Sequence, residues 1–390
     1  MKIIIFDGSF KTTAFINRLI EGLTKTHEVY VLGFNETLKH KINGVHYVKL
    51  GSNSSKLAFI KTSWSIAVSQ SSLKKCFSTL LQLIKFNRKA LQSQNLNWVI
   101  EAINPDIIHA QWVSNIAILE PILSQNRYPV VLSQRGYHIN VRPFIDEENM
   151  GYLKDWLPKM AGFHSVSKAI SSKGDLIYTS PSKIDHVVYS GLNLLKVAYR
   201  EKYQKTKRME LISVGRPHWK KGYDYAIKAC ALLKAHGIDF KYTIIGAGQH
   251  EELIYLREFY KLEDVVELLS PMPQQAVFEA IKEADAMLLP SIEEGIANVA
   301  IEAMALGTLV VSTDCGGMPE LIAHNKDGWV VPKRSPEALA EAIMDFSKTP
   351  DDKLENMCQQ ARKKVERQFT EDKMVQDMER LYKACINEDN

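Results

Sequence analysis

Not one Asp or Glu stands between Thr37 and Ile100. Those 64 residues carry ten cations instead: Lys39, Lys41, Lys49, Lys56, Lys61, Lys74, Lys75, Lys85, Arg88 and Lys89. The whole chain is +4, so with that block set aside the other 326 residues carry −6. The asymmetry predicts one strongly positive face and an anionic partner. No recognisable nucleic-acid module accompanies the charge, which argues against DNA or RNA. Cysteine is scarce and unpatterned. Cys76, Cys230, Cys315, Cys358 and Cys385 are odd in number and share no CxxC or His-x-Cys spacing. That excludes a disulfide scaffold, makes structural zinc a poor fit and favours a reduced cytoplasm. No apolar run approaches the roughly 18 residues needed to span a bilayer. The first residues, Met1-Lys2-Ile3-Ile4-Ile5-Phe6-Asp7, read as a buried strand cut off by an acid, too short for a signal peptide. Gly246-Ala247-Gly248 is followed by Gln249-His250-Glu251, so the third glycine of a dinucleotide fingerprint is missing and a nicotinamide dehydrogenase is excluded.

What remains is ordinary globular composition, 45% apolar and 24% charged, over 390 residues, long enough for two cores. Aliphatic runs at Ile3–Phe6, Val29–Leu32, Asp106–His109, Val130–Ser133 and Val187–Tyr189 read as buried parallel strands. In the second half the same reading covers Leu211–Val214, Tyr242–Ile245, Val265–Leu269, Ala286–Leu289 and Leu309–Ser312. Helical periodicity lies between them, as at Phe15–Leu23, and at Asp224–Ala235 with Gly237 beyond as a cap. The alternation predicts an α/β protein of two doubly wound parallel sheets. The polar stretch Leu192–Thr206 sets the boundary, giving domains over 1–192 and 193–367. A final helix, about 368–390, carries Met374, Met378 and Leu381 on one face and must dock; packing back on the first domain is one option. Ligands of such sheets bind outside the carboxyl ends of the strands, and two sheets with those edges facing make a cleft.

Two clusters lie past strand ends. In Val214-Gly215-Arg216-Pro217-His218-Trp219-Lys220-Lys221-Gly222, cations converge on the start of a helix. The helix dipole disfavours them there unless an anion is bound, so Arg216 and Lys221 suggest a phosphate or diphosphate site. A solvated basic loop is the plainer alternative. The second cluster runs from Pro290 to Gly307 and contains Glu293-Glu294-Gly295-Ile296-Ala297-Asn298-Val299-Ala300-Ile301-Glu302-Ala303-Met304. Glu302 stands among apolar neighbours, where an unmet carboxylate is costly. Its partner is either a buried Arg or backbone N–H, or a vicinal diol such as ribose. Amides from Ile296 to Val299 are unsatisfied at that helix start and face any bound anion.

With Glu294-x7-Glu302 about 80 residues after Arg216 and Lys221, the chain resembles the retaining family 4 glycosyltransferases of the GT-B fold. The resemblance covers nearly the whole chain. Pro105-Asp106-Ile107-Ile108-His109-Ala110-Gln111-Trp112, Val166-Ser167-Lys168-Ala169-Ile170, Ser190-Gly191-Leu192-Asn193 and Gly316-Gly317-Met318-Pro319-Glu320 each look like one of its motifs. It implies two Rossmann-like domains across a cleft and a hexose moved from a nucleotide diphosphate sugar, UDP- or GDP-linked, to a saccharide or lipid-linked saccharide. Arg216 and Lys221, after Gly215, would hold the diphosphate as leaving group. Glu302 would bind the ribose and Glu294 the sugar hydroxyls. Amides of Gly295, Ile296, Ala297, Asn298 and Val299 would contact sugar and phosphate, and Pro271 and Met272 would lie beside the base. Gly8 and Ser9 would approach the diphosphate from the other domain.

Two departures stand out. The family usually has His-Gly after the fourth strand of the first domain; here the strand continues Ser133-Gln134-Arg135-Gly136-Tyr137-His138. Arg135 takes the histidine's position, and both Arg135 and His138 are expected to face the cleft, with Arg135 on a phosphate or an acidic acceptor. The first glycine loop, Asp7-Gly8-Ser9-Phe10-Lys11-Thr12-Thr13, holds one glycine. No Asp-x-Asp pair occurs, so a metal-chelated diphosphate lacks its ligands and no cofactor is called for; Arg216, Lys221 and the helix amides would do that work.

Leu73 to Leu91 interleaves Leu73, Phe77, Leu80, Leu81, Leu83, Ile84 and Phe86 with Lys74, Lys75, Lys85, Arg88 and Lys89. One basic amphipathic helix is expected, either lying on an anionic membrane at its inner face or packing one apolar stripe on the sheet. Alternatives to transfer are a nucleotide-sugar epimerase of the same architecture and a non-catalytic partner subunit that binds nucleotide sugar.

Overall fold

The computed structural model of the protein describes residues 1–10, 12–34, 38 and 41–387. Lys11 of the glycine loop, and Thr37 and Lys39 of the basic segment, lie outside them. The chain divides into two compact units, one of Met1–Val166, Ile170–Gly191 and the closing helix, the other of Ser167–Ala169 and Leu192–Thr370.

The first unit is a parallel sheet of β1 (Lys2–Gly8), β2 (Glu28–Gly33), β3 (Val45–Lys49), β4 (Ile107–Ala110), β5 (Val130–Gln134), β6 (Gly162–Ser165) and β7 (Asp185–Val187), in the order β3-β2-β1-β4-β5-β6-β7. Ile3 sits opposite Val29 on one side and Ile107 on the other, so three aliphatic runs are in register. Period-two alternation then feeds two apolar layers. Ile4, Phe6, Ile108 and Leu132 pack with Leu96 and Ile100 on one face; Ile3, Ile5, Val31 and Val131 pack with Ile16 and Ile20 on the other. The closing helix Glu371–Asn387 joins the latter layer through Met374, Met378, Leu381 and Tyr382.

Helices α1 (Ala14–Leu23), α2 (Lys56–Ser69), α3 (Leu73–Ile84) and α4 (Arg88–Ile103) follow the strands of this unit. The single helix expected from Leu73 to Leu91 is in fact two. Phe86 takes φ 51° in the break, and the Asn87 side chain accepts from the Ala90 amide at 3.1 Å, starting α4 as an N-cap. Nor does α3 lay an apolar stripe on the sheet. Thr79 is its one buried residue, and Leu83 alone among its large apolar side chains packs on the core. Leu73 is 90% exposed, Phe77 62% and Phe86 93%. Of the nine described cations in the acid-free segment all but Lys75 are exposed; Lys75 is half-buried, 3.2 Å from Glu101.

The second unit is a parallel sheet of β8 (Met209–Val214), β9 (Phe240–Ile245), β10 (Val266–Leu269), β11 (Ala286–Leu289), β12 (Leu309–Thr313) and β13 (Trp329–Val331), in the order β10-β9-β8-β11-β12-β13. The helix Tyr223–Ala235 buries Ala226, Ile227, Ala229, Cys230 and Leu233 against it, one face of a 3.6-residue period. β3, β6 and β13 were not expected, and β7 begins two residues before the run Val187–Tyr189. β13 is three residues long, and β6 reads Gly-Phe-His-Ser, which lacks an aliphatic signature although all four residues are buried.

Candidate functional site

In the second unit β8 is followed by Gly215, whose carbonyl accepts the Tyr223 hydroxyl at 3.2 Å. The chain passes through the short turn Trp219–Lys221 to Gly222, at φ 62°. A Cβ at Gly222 would overlap the Pro290 carbonyl oxygen, so only glycine fits there. The Lys220 carbonyl accepts the amides of Ile292 at 2.7 Å and Glu293 at 3.4 Å. The loops after β8 and β11 are therefore pinned together by backbone, and the Lys221 ammonium donates to the Glu294 carboxylate. From the far side the Gly317 amide donates to the Gly295 carbonyl at 2.6 Å, and a Cβ at Gly316 would overlap the Glu294 carbonyl. Two sequence motifs thus meet as one backbone contact. A third joins them: the Glu320 carboxylate accepts the amides of Lys168 and Ala169, each at 2.9 Å.

The helix Asn298–Leu306 starts beside this knot. Its N-cap, Ala297, has no side-chain acceptor, and the amides of Ile296 to Val299 meet no partner among the described residues. Asn298 Oδ1 and Ser291 Oγ are buried without a hydrogen-bond partner among the described residues. Glu302, four residues after Asn298 and on its face of the helix, is half-buried. Arg216 is exposed at the end of β8 with no ion pair among the described residues. The local field is positive: the His218 imidazole is held below its ordinary range first by desolvation, then by Lys220, Arg216 and Lys221. Burial, and then the Glu294 charge, push the Tyr223 hydroxyl well up. A depression of about 260 Å³ adjoins the turn, lined by Pro217, His218, Trp219, Tyr223, His250 and Ile292. The structure therefore brings together Gly215, Arg216, Lys221, Glu294 and the 295–302 segment. Pro271 and Met272 are exposed after β10, and Met272 lines a separate depression of about 220 Å³ with Leu211, Thr243 and Leu269.

In the first unit Gly8 ends β1 at φ 83°, and the Ser9 amide donates to Asp7 Oδ1 at 2.8 Å. Burial nevertheless raises the Asp7 carboxyl to about 6. Arg135 follows β5. Its Nη2 donates to Gln111 Oε1 at 3.1 Å and Ser133 Oγ at 3.3 Å, and its guanidinium carbon stands 4.3 Å from the Phe15 ring centroid and 5.9 Å from that of Trp112. Burial lowers its pKa to about 9. Beneath it, His109 reaches Tyr382 at 2.7 Å and Ser133 at 2.8 Å, and Ser133 reaches His164 at 2.8 Å. Burial holds both imidazoles neutral, His164 down to about 3. His138 lies elsewhere. It lines a depression of about 460 Å³ with Ser114, Arg142, Asn149 and Tyr152. Arg135 and His138, read from the sequence as a pair, have different surroundings. Gln111, Phe15 and Trp112 were missed as site residues because nothing in their local sequence announces that they surround a guanidinium. Among the described residues no three His, Cys, Asp or Glu side chains gather as a metal site.

Comparison with known proteins follows the same division of the chain. Residues 196–364 match the family described as glycosyl transferases group 1, and residues 9–153 match glycosyl transferase 4-like. WcaL of Salmonella typhimurium, a putative colanic acid biosynthesis glycosyltransferase, is 40% identical over 198 residues, 49% of this chain and 48% of that protein. AmsK of Erwinia amylovora, an amylovoran biosynthesis glycosyltransferase, is 40% identical over 170 residues, 42% of each chain. The chain thus spans about half the length of the curated relatives it matches. Among solved structures, sucrose-phosphate synthase from Thermosynechococcus elongatus superposes with a TM-score of 0.78 at 17% identity, covering 100% of both chains. HepE from Anabaena, in complex with UDP-glucose, gives 0.72 at 16% identity, covering 98% of this chain and 100% of that one. At such identities the likeness is one of fold.

Proposed function

We propose that this chain of GT-B fold, matched over 196–364 by glycosyl transferases group 1 and over 9–153 by glycosyl transferase 4-like, is a glycosyltransferase that moves a hexose from a nucleotide diphosphate sugar to a saccharide or lipid-linked saccharide in polysaccharide synthesis. The observation that carries this is the Lys221–Glu294 pair, set by backbone contacts beside the unpartnered amides of Ile296–Val299. A cation, a carboxylate and a free helix N-terminus in one place suit a diphosphate with a polyol attached. In this reading Arg216 and Lys221 hold the diphosphate, Glu302 takes the ribose diol, Glu294 the sugar hydroxyls, and Asn298 Oδ1 accepts from a further hydroxyl. Pro271 and Met272 border the base. Among residues of the first unit, Gly8 and Ser9 are read as diphosphate contacts, Arg135 as the contact of a phosphate or an acidic acceptor, and His138 as a substrate contact. The relatives named for colanic acid and amylovoran support a polysaccharide product.

The sugar's C1–O bond breaks toward the diphosphate as a new C1–O bond forms to the acceptor hydroxyl, whose proton passes to the departing phosphate oxygen. Such a front-face transfer retains the anomeric configuration and needs no side-chain base. The charge that grows on the phosphate is met by Arg216, Lys221 and the helix amides, so no metal is required. Lys221 then has two calls on it: the Glu294 carboxylate before binding and the phosphate afterwards.

A lipid-linked acceptor would place the enzyme at the inner face of the membrane, and α2 and α3 support that. Leu57, Ile60, Trp64 and Val68 on α2 and Leu73, Phe77, Leu80 and Ile84 on α3 are exposed among lysines. No helix among the described residues is long and apolar enough to cross a bilayer, so contact through this hairpin is peripheral.

Release of nucleoside diphosphate from UDP-glucose, UDP-galactose and GDP-mannose, with and without a bacterial lipid-linked oligosaccharide extract, tests the reading. One donor should be consumed only with acceptor, equally well in EDTA, and Lys221→Ala should lower kcat by about a hundredfold. Activity abolished by EDTA and restored by Mg²⁺ would contradict metal independence. Turnover indifferent to Lys221 would contradict the site.

A further inference from the structure

Among the described residues Arg135 is a cation without a counter-ion. No carboxylate among them comes within ion-pair distance; the two acceptors of Arg135, Gln111 Oε1 and Ser133 Oγ, are neutral, and both take the same nitrogen, Nη2. Nε is buried with no partner. Beneath lie neutral histidines, and beside it the rings of Phe15 and Trp112. A second orphan adjoins the first. Gln111 is 0% exposed, and because its Oε1 faces Arg135 its Nε2 is left as a buried donor with nothing to bond. Unmet donors and a desolvated charge cost stability. A structural arginine here would have been given an acid, whereas aromatic rings and a neutral amide fix its fork and leave its charge to an outside group.

We propose that Arg135 and Gln111 form a seat for an oxyanion, a carboxylate or phosphate carried by the acceptor, so that this enzyme selects an acidic acceptor. The seat rests on the transferase reading for its place in the reaction. Arg135 Nε and Gln111 Nε2 are closed to solvent, so an oxyanion bonded to both must open the site as it enters; once there it satisfies both donors and neutralises the guanidinium. A neutral sugar does the first only in part and the second not at all. The oxyanion has two possible sources, the carboxylate of an acidic sugar or the phosphate of a lipid carrier, and the probes separate them.

The full-length protein is titrated in a calorimeter with sodium glucuronate, with inorganic phosphate and with glucose, and so are Arg135→Met and Arg135→Lys. One of the two anions should bind the wild type, about tenfold or more weaker to Arg135→Met, with partial rescue by Arg135→Lys. Glucuronate as the ligand assigns the seat to an acidic sugar; phosphate assigns it to a lipid phosphate. Arg135→Met should melt at or above the wild-type temperature, because it removes an uncompensated charge. Failure of both anions to bind, unchanged binding in Arg135→Met, or melting of that variant well below the wild type would overturn the proposal. UDP and GDP are titrated into the same wild-type sample. Nucleotide binding without anion binding would overturn this seat alone and leave the donor reading standing.

Discussion

Lys221 and Glu294 lie 73 residues apart, and what joins them is less their charge than the glycine at 222. Gly222 lets the backbone touch Pro290, and that contact brings the two loops close enough for the pair to form. Gly222→Ala adds a side chain at φ 62° and drives its Cβ into a carbonyl. It should cost roughly 2 kcal/mol or more, lower the melting temperature of the protein and weaken nucleotide binding together. Wild-type melting and binding in that variant would sink the idea that backbone contact builds the site. Asp7 gives a prediction in pH. Its carboxyl protonates at about 6 in the folded protein against 3.8 for the free side chain, so the folded state holds the proton more tightly. Stability from this group is full below about pH 4, falls as pH rises to about 6 and stays low above. Asp7→Asn, which can still accept from the Ser9 amide, should therefore melt above the wild type at pH 7 and level with it near pH 4. A gap independent of pH would show that Asp7 is not the cause.

At the scale of elements, strands made of Ile and Val were legible because a parallel strand buried on both faces has to be aliphatic throughout. β6 escaped because His164 and Ser165 are buried through hydrogen bonds to Ser133, Val188 and Asp185, partners that come from other strands and loops. The break between α3 and α4 was present in the sequence as Asn87, a good N-cap, but was masked by apolar spacing that runs straight through it. The exposure of α3 was one of two readings that the sequence left open. Amphipathic spacing says that one face is apolar and leaves open what covers it. Since that face turns outward with exposed lysines around it, Leu73→Ser, Phe77→Ser and Ile84→Ser combined should abolish co-sedimentation with phosphatidylglycerol vesicles at low salt while leaving the melting temperature unchanged. Each nearby lysine adds about 1 kcal/mol to such binding, so high salt should weaken it. If the wild type does not sediment with these vesicles, or the triple variant sediments with them as the wild type does, the hairpin has no membrane role.

At the scale of the whole molecule, the two-sheet architecture and the clustering of Lys221 with Glu294 could be read from sequence for the same reason. Parallel sheets put their functional loops after strand ends, so Arg216, Lys221 and Glu294 each follow an aliphatic run that marks its place. The region around Arg135 resisted because its meaning lies in what is missing. Only coordinates reveal that β4 and β5 supply neutral partners where an acid would be expected, and that Phe15 closes over them. The division of labour that results is simple. Among the described residues, the second unit carries cations, a carboxylate on a helix and amides without partners; the first carries a guanidinium with no carboxylate beside it and an outward-facing basic hairpin. Calorimetric titration of UDP and GDP, without metal, into the wild type and Glu302→Ala tests the donor half of that account most directly. One nucleotide should bind the wild type and bind Glu302→Ala about tenfold or more weakly, the loss expected for a charged hydrogen bond to the ribose. Binding of neither nucleotide, or equal binding to both proteins, would contradict the donor site proposed for the second unit.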